Sequence, residues 1–506
     1  MIEEKNRFSK LLEQLMEEAD VKNYMLARAL QYDVSYISKW LNGKVIPSEK
    51  NHLRVVEGIS EYIARQVSDE KLPAIMERYQ VDNREELQRA LYDHMEIEYA
   101  YVHDLQNTLN VSVAPPQRFF TEITLAEFVE KMHHPVLRRI TSLDVIAAMD
   151  IFSMDREYRW HILSFEGERA DSLHQYPDVH FSLVLNLDVD RLDIIYDTIF
   201  LINMLSNFSQ VDFSIYTSYK ASGKAVFAVR DDFAIGGMLD GKNHCLCVGI
   251  AEDAVNSNIF YDAVRNMINR ELLLFRSTTV KEMLDNGEYI RSLLSPRPRW
   301  IIGHIDEHFL PTDVYQEVLQ SFKDDPDADP AMFNESLFTS HSIARTLVDN
   351  TGVHLIFHEN AVSQFVTNRE LDFYDHKVVL TSDQVMRVMN HIEDMIKGNP
   401  KIKCQMILGK LVPDVKYYNI QNVFISDAYS YLRLSDGSTA GEGKYILVLN
   451  RPEVQAMFAK FFDTIWNESQ QTVISDPIAI SEYMNHMTAR IKILSQFTNM
   501  GDNVTI

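Results

Sequence analysis

The chain has 506 residues, a mass of 58.7 kDa and a formal net charge of −24, with 46% hydrophobic and 24% charged residues. That length exceeds one hydrophobic core and calls for about three or four domains, and the composition is globular, not disordered. The acidic balance excludes a protein that coats nucleic acid over its whole surface. No run of about 18 apolar residues occurs, and the nearest candidate, Leu192–Leu205, is interrupted by Asp193 and Asp197, so no membrane partner is expected. The N-terminal MIEEKNRFSK lacks an apolar signal core, and Cys245, Cys247 and Cys404 make no disulfide framework. Both features suit the cytoplasm.

In chain order, a first helix is expected over Glu4–Glu18, with Phe8, Leu11, Leu12, Leu15 and Met16 on one stripe. Two short helical patterns then meet at a tight corner in NYMLARALQYDVSYISKWLNGKVIPS (Asn23–Ser48). Leu26, Ala27 and Leu30 share one face of the first. Ile37, Trp40 and Leu41 recur at helical spacing in the second. Asp33 stands where an N-cap belongs, its carboxylate able to accept from orphaned backbone N–H groups. Gly43 ends the helix, and Pro47 follows at the distance of a stop.

This layout resembles the Cro/C1-type (XRE) helix-turn-helix repressors, on Leu26-Ala27, Ile37-Ser38, the Trp40…Gly43 pair and Pro47-Ser48. Such a pair places its second helix in the DNA major groove. Two departures stand out. Gln31 occupies the turn position where the family has glycine, so a side chain must accept a left-handed conformation, costing roughly 1 kcal/mol. Leu41 replaces the usual glutamate and implies an extra apolar contact. By the resemblance, Val34, Ser35, Ser38 and Lys39 face the groove. Ser35 and Lys39 are the candidates for base edges, Val34 for a thymine methyl, and Tyr36, Asn42 and Lys44 for the backbone. Between Asp33 and Arg54, Lys39, Lys44, Lys50 and Arg54 outnumber Asp33 and Glu49, a local balance of +2 on an acidic body. DNA binding through so small a footprint should weaken sharply with salt. The other reading is a helical pair reused for protein contacts.

A helix from Ser48 to about Val67 follows. Past Asp82, NREELQRALYDHMEIEYAYVHDLQNTLN carries a narrow apolar seam of Leu87, Leu91, Met95, Val102, Leu105 and Leu109. The seam fits a two-helix homodimer contact or a helix packed on its own chain. Val111–Phe119, with Pro115-Pro116, reads as a linker.

Beyond it, two segments about 196–198 positions apart share one succession of elements. The first has strand Val179–Leu187, helix Asp190–Ser206, strand Gln210–Thr217, AVFAVRDDFAI, strand HCLCVGI and a closing helix. The second has Lys377–Thr381, helix Ser382–Lys397, KIKCQMILG, NVFISDAYSYLRL, KYILVLN and helix Pro452–Trp466. Phe227 matches Phe424, Asp231 matches Asp427, Phe260 matches Phe458 and Met267 matches Ile465. The run VHLIFHEN precedes the second copy.

The texture of VFISDAYSYLRL, YILVLN and MFAKFFDTIW resembles the half-domains of the phospholipase D superfamily, and the effector-sensing domains of that fold in some transcription regulators. The enzymes need His-x-Lys, the histidine attacking phosphorus while the lysine holds phosphoryl oxygens. None of the 17 histidines has a lysine two positions later. Ser222 and Lys224 fall at that place in the first copy, Asn419 and Gln421 in the second. The resemblance therefore implies two halves without a nucleophile.

Other chemistry also fails. GSTAGEGKY (Gly437–Tyr445) has Ser438 where a P-loop needs glycine, and Lys444 leads into a strand. Asp325, Asp327 and Asp329 start like a calcium loop, but Pro330 and Ser336 replace its glycine and glutamate. Cys245 and Cys247 alternate onto one face suited to packing, with His244 a slight metal signal. His133-His134-Pro135 has no partner at ligand spacing, and neither Gly-x-Ser-x-Gly nor His-Glu-x-x-His occurs.

The chain thus reads as multidomain, with an all-α N-terminal part followed by an α/β region with an internal duplication. The divisions are 1–67 helix-turn-helix, 68–110 helical connector, 111–119 linker, 120–275 first α/β repeat, 276–375 helical connecting region, 376–467 second α/β repeat, and 468–506 C-terminal helix and tail. The expected function is that of a bacterial or phage-type transcriptional regulator binding double-stranded DNA as a homodimer, with a C-terminal region that senses a small-molecule effector, oligomerises, or both. No catalytic residues, metal or cofactor are assigned. The alternative is an enzyme or toxin-like effector fused to an autoregulatory DNA-binding domain.

Overall fold

The computed structural model describes residues 5–69, 71–79, 81, 83–110, 118–132, 142–163, 178–207, 212–241, 243–324, 335–412, 421–434, 446–467 and 472–501. The linker at 111–117, His133-His134-Pro135, the acidic run 325–329, Asn419 and the segment 437–445 lie outside them. The chain divides into two compact units, Met1–Asn186 with Phe208–Leu272, and Leu187–Asn207 with Leu273–Ile506. No helix among the described residues is long and apolar enough to cross a membrane.

The first unit begins with α1 (Arg7–Glu18), α2 (Asn23–Leu30), α3 (Val34–Leu41), α4 (His52–Gln66), α5 (Leu72–Tyr79) and α6 (Arg84–Asn110). The expected stripe of α1 is buried in one core with Leu26, Ala27, Ile37 and Trp40. Two side chains do much of the joining. Asn83 caps α6 by accepting from the Glu85 and Glu86 N–H groups. Arg84 donates to the Ala64 and Val67 carbonyls, which the end of α4 leaves without helical partners.

Four of the six seam residues of α6 are spent inside the chain; the side chains of Leu105 and Leu109 lie outside the described set. Leu87, Leu91, Met95 and Val102 are buried with α1 and α4, and Tyr99 stacks on His52 at 4.3 Å. Of the two readings of the seam, these residues take the second: they are covered by their own chain and are not free to form a two-helix contact.

The rest of this unit is built on a mixed sheet of β1 (Arg118–Thr124), β2 (Ser142–Met149), β3 (Asp178–Leu185), β4 (Asp212–Thr217), β5 (Lys224–Val229), β6 (Phe233–Leu239) and β7 (His244–Ala251), in the order β1-β7-β6-β5-β2-β3-β4, with helices Leu125–Met132, Arg156–Leu163 and Ala254–Arg265. Strands β2, β3 and β4 run parallel, and the other pairings are antiparallel. Cys245 is buried, but Cys247 is exposed, against the expectation that both pack on one face. The reason is a bulge. Gly236 pairs with Gly249 and Met238 with Leu246, so β7 carries an extra residue there, and Cys247 takes a φ of 53°.

The second unit contains β8 (Phe275–Thr278), β9 (Arg299–Ile302), β10 (Val353–His358), β11 (Glu370–Phe373), β12 (His376–Val379), β13 (Ile402–Ile407), β14 (Asn422–Ile425), β15 (Tyr431–Arg433), β16 (Ile446–Leu449) and β17 (Val473–Ile474). Its sheet runs β17-β13-β10-β9-β14-β15-β16-β8, with β9, β10 and β13 parallel. With β17 and the separate β11–β12 hairpin set aside, each sheet takes its strands in chain order as first, seventh, sixth, fifth, second, third, fourth.

Two expectations change. The span 276–375 is not merely helical, because β8, β9 and β10 are members of this sheet. The strand that corresponds to β3 is β10, VHLIFH, and not Lys377–Thr381. The latter lies in the hairpin, with Val379 63% exposed. Both runs are β-branched, and only the packing of β10 between two parallel neighbours separates them. The helix Ile194–Asn207, the most apolar stretch, belongs to this unit and packs against helix Pro452–Asn467.

Leu91→Ala and Met95→Ala should each destabilise the N-terminal helices by about 2–5 kcal/mol, read as lost amide-exchange protection in α4 and α6. Sedimentation should show an unchanged oligomeric state. A variant of intact stability but altered stoichiometry would return the seam to an interface.

Candidate functional site

Local chemistry fixes the α2–α3 corner. The N–H groups of Gln31 and Tyr32 donate to the carbonyls of Arg28 and Ala27, closing α2 through Gln31 in the left-handed region at φ 58°. Asp33 accepts from the Ser35 N–H at 2.8 Å and starts α3. The Ser35 hydroxyl and N–H hold the Asp33 carboxyl below its usual range. At the other end, Gly43 N–H donates to Trp40 O and Lys44 N–H to Lys39 O, with Gly43 at φ 72°. A side chain at Gly43 would also press on the Asn6 backbone N at 3.1 Å. Asn6 itself caps α1 and donates to the Gly43 carbonyl at 3.1 Å, so one residue ties two helix ends together.

This corner separates two faces of α3. Ile37 and Trp40 are 0% and 2% exposed, while Val34 and Tyr36 are 43% and 49% exposed. Ser35, Lys39, Asn42 and Lys44 are exposed, and Ser38 is half-buried, its hydroxyl accepting from Asn23 Nδ2 at 3.4 Å. Lys39 Nζ stands 5.5 Å from the centre of the Tyr36 ring. All seven residues predicted for DNA contact therefore lie on one short helix and its C-terminal turn. Leu41 packs against the core, as its apolar character implied.

The second unit holds a buried polar assembly that sequence reasoning missed. Strand β9 leads into the loop Gly303–His308, and β14 begins with Asn422. The Asn422 Oδ1 accepts from the Gly303 and His304 N–H groups at 2.7 and 2.9 Å, while its Nδ2 donates to Asp306 at 2.9 Å. Asp306 also accepts from His308 Nδ1 at 3.0 Å. Burial opposes the Asp306 charge, but His308, Arg433 and His304 outweigh it and hold the carboxyl well below its usual range. Burial likewise works against a protonated His308, and the facing Asp306 and Glu307 overcome it and raise the imidazole.

Arg433, inside β15, sits at the centre with 2% of its side chain exposed. Its guanidinium donates to both Glu307 oxygens at 2.9 and 3.0 Å and to Asp372 at 2.8 Å. Asp372 and Asp375 come from the β11–β12 hairpin, whose two-residue turn is Tyr374-Asp375, at φ 51° and 64°. Such a turn usually takes Asn-Gly, so a tyrosine there is strained. Its hydroxyl meets that of Tyr315 at 3.0 Å, and its N–H faces Glu307. Tyr289 completes the assembly by donating to Glu307 at 2.7 Å.

Asp306, Glu307 and His308 have the spacing of a metal site. Their atoms are already committed to Arg433, Asn422 and Tyr289. The guanidinium takes the place a cation would hold, and the set does not fit a metal. Two cues were present in the sequence: an arginine inside the apolar YLRL, and GHIDEH directly after the apolar WII. In the first unit, Asp150 leaves β2 and accepts from the Gly223 N–H at 2.7 Å. There too a carboxylate at the end of the second strand meets the start of the fifth. Ser222 and Lys224 flank that glycine. His244 pairs with Glu122 at 2.6 Å near Asp240, on the surface.

Comparison with known protein families and with curated proteins returns no match.

Arg433→Met should cost about 3–5 kcal/mol, because Glu307 and Asp372 are left buried without their cation; chemical denaturation reads it. Asp375 behaves differently. Burial, with Asp372 adding to it against Arg433, lifts its carboxyl from 3.8 to about 6. The folded protein therefore holds this proton more tightly than the unfolded chain, and that stabilisation fades as pH rises from about 4 through 6. Asp375→Asn, neutral throughout, should gain melting temperature over the parent above pH 6 and little near pH 4. Equal pH profiles for both would refute the assignment.

Proposed function

We propose that this protein is a sequence-specific regulator of transcription, in which α2 and α3 form a helix-turn-helix of the Cro/C1 kind and α3 enters the major groove of double-stranded DNA. The observation that carries the reading is the division of α3: Ile37 and Trp40 anchor it, while Val34, Ser35, Tyr36, Lys39, Asn42 and Lys44 are exposed together. Ser35 and Lys39 read base edges, Val34 meets a thymine methyl, and Tyr36, Asn42 and Lys44 hold phosphates. Ser38, half-buried beside Asn23, positions the helix.

The two α/β sheets are read as an internal duplication that serves as the sensing or oligomerising region. Their common strand order supports this, and it agrees with the tandem halves implied by the phospholipase D resemblance. Asp231 and Asp427, matched in sequence, both lie between the fifth and sixth strands of their sheets. A homodimer on a two-fold operator remains the expected assembly, using a surface other than the buried part of the α6 seam.

Selection of bound DNA from a random pool should enrich one motif with two-fold symmetry. Ser35→Ala with Lys39→Ala should lower affinity for it at least about tenfold per lost base contact at moderate salt, with unchanged melting. Lys44→Ala should reduce the slope of log affinity against log salt by about 1. No enrichment of any sequence, or full affinity in the double variant, would overturn the proposal.

A further inference from the structure

Beside the Arg433 assembly lies a pocket of about 170 Å³. Its apolar lining is formed by Ile305, Ala361, Phe365 and Leu371, and its charged lining by Asp372, Asp375, Glu370 and Lys377. His304 also lines it. Two polar atoms here are shut off from solvent without a partner, Nδ1 of His304 and Oδ1 of Asp375, while His304 Nε2 lies 3.3 Å from Asp372. The Asp375 side chain is 9% exposed, and its nearest cation, Arg433 Nε, stands 3.5 Å away without donating to it. Buried polar atoms left in this state are costly, and natural proteins keep few of them.

The charge around the pocket is unbalanced in the same sense. Asp306 has His308 as its partner. Glu307, Asp372 and Asp375 then face Arg433, whose short contacts are spent on the first two, and Asp372 also has His304 Nε2 at 3.3 Å. Asp375 is the carboxylate at the pocket that receives no hydrogen bond from a cation. Glu370, Asp372 and Asp375 line the pocket against one lysine, Lys377, which is paired to Glu370 at 2.8 Å; this lining disfavours an anion, and a bare metal ion leaves the apolar side and most of the volume unfilled.

We propose that this pocket binds a small organic cation, a primary ammonium on a short carbon chain, with Asp375 and Asp372 meeting the charge and Phe365, Leu371 and Ala361 covering the chain. The proposal supplies a ligand class to the sensing half of the regulator reading. A proton on Asp375 relieves the same imbalance, so proton and ligand compete. The groups facing Asp375 are Arg433 from β15, Asp372 from β11, Glu307 and the Val280 N–H, which donates to its Oδ2 at 2.9 Å.

Calorimetry on the full chain, without DNA, with butylamine, butyrate and 1-butanol as probes of one shape and three charges, tests it. Saturable one-to-one binding of butylamine alone is expected, strengthening several-fold as pH rises through about 6. Asp375→Asn, which retains an acceptor for Val280, should weaken it at least tenfold and remove the pH dependence. Ala361→Leu, filling the apolar wall, should abolish it. Equal binding of the three probes, binding of none, or stabilisation by magnesium or calcium in place of the amine would each overturn the inference. Because no DNA is present, such a failure would leave the operator experiment untouched, and failure of that experiment would not affect this one.

Discussion

A single guanidinium, that of Arg433, organises the second unit. Removing such a group from water costs several kcal/mol, recovered only if its hydrogen-bonding directions are met at short range. Glu307 and Asp372 do so, and they come from the loop after β9 and from the hairpin. A strand residue thus determines where a loop and a hairpin tip must sit. Asn422 extends the same logic by turning the Gly303–His304 backbone toward itself. The strained Tyr374-Asp375 turn is tolerated because both of its N–H groups and the Tyr374 hydroxyl have defined partners.

The helical region works by a different economy. Its core is ordinary apolar packing, but the orientation of α3 depends on backbone groups at helix ends. Asn6 joins the start of α1 to the end of α3, and Ser9 donates to the Trp40 carbonyl from within the core. Arg84 does the same for the end of α4. Few polar contacts are needed, because each sits where the helix would otherwise leave a group unsatisfied. The outward face of α3 is thereby free of structural duty.

How far the sequence could be read follows from the range of the interactions. The α2–α3 corner was legible because capping by Asp33, the left-handed Gln31 and Gly43, and the Ile37/Trp40 spacing all act within a few residues. The strands from β4 to β7 and their counterparts were legible as alternating runs with a turn between. KVVLT and VHLIFH were confused because β-branched character does not say which sheet a strand joins. The α6 seam announced a buried stripe without saying whose surface buries it. The Arg433 assembly was not legible at all, since it draws on positions 280, 289, 304–308, 372–375 and 433, whose meeting is decided only by the completed sheet.

The hairpin that carries Asp372 and Asp375 interrupts the passage from β10 to β13, whereas β3 passes to β4 through the helix Ile194–Asn207 without one. Two sheets of like order are therefore unequal in what they can hold. Whatever occupies the acidic hollow does so once per polypeptide, and a symmetric assembly of this chain would count its occupants by subunits instead of by sheets.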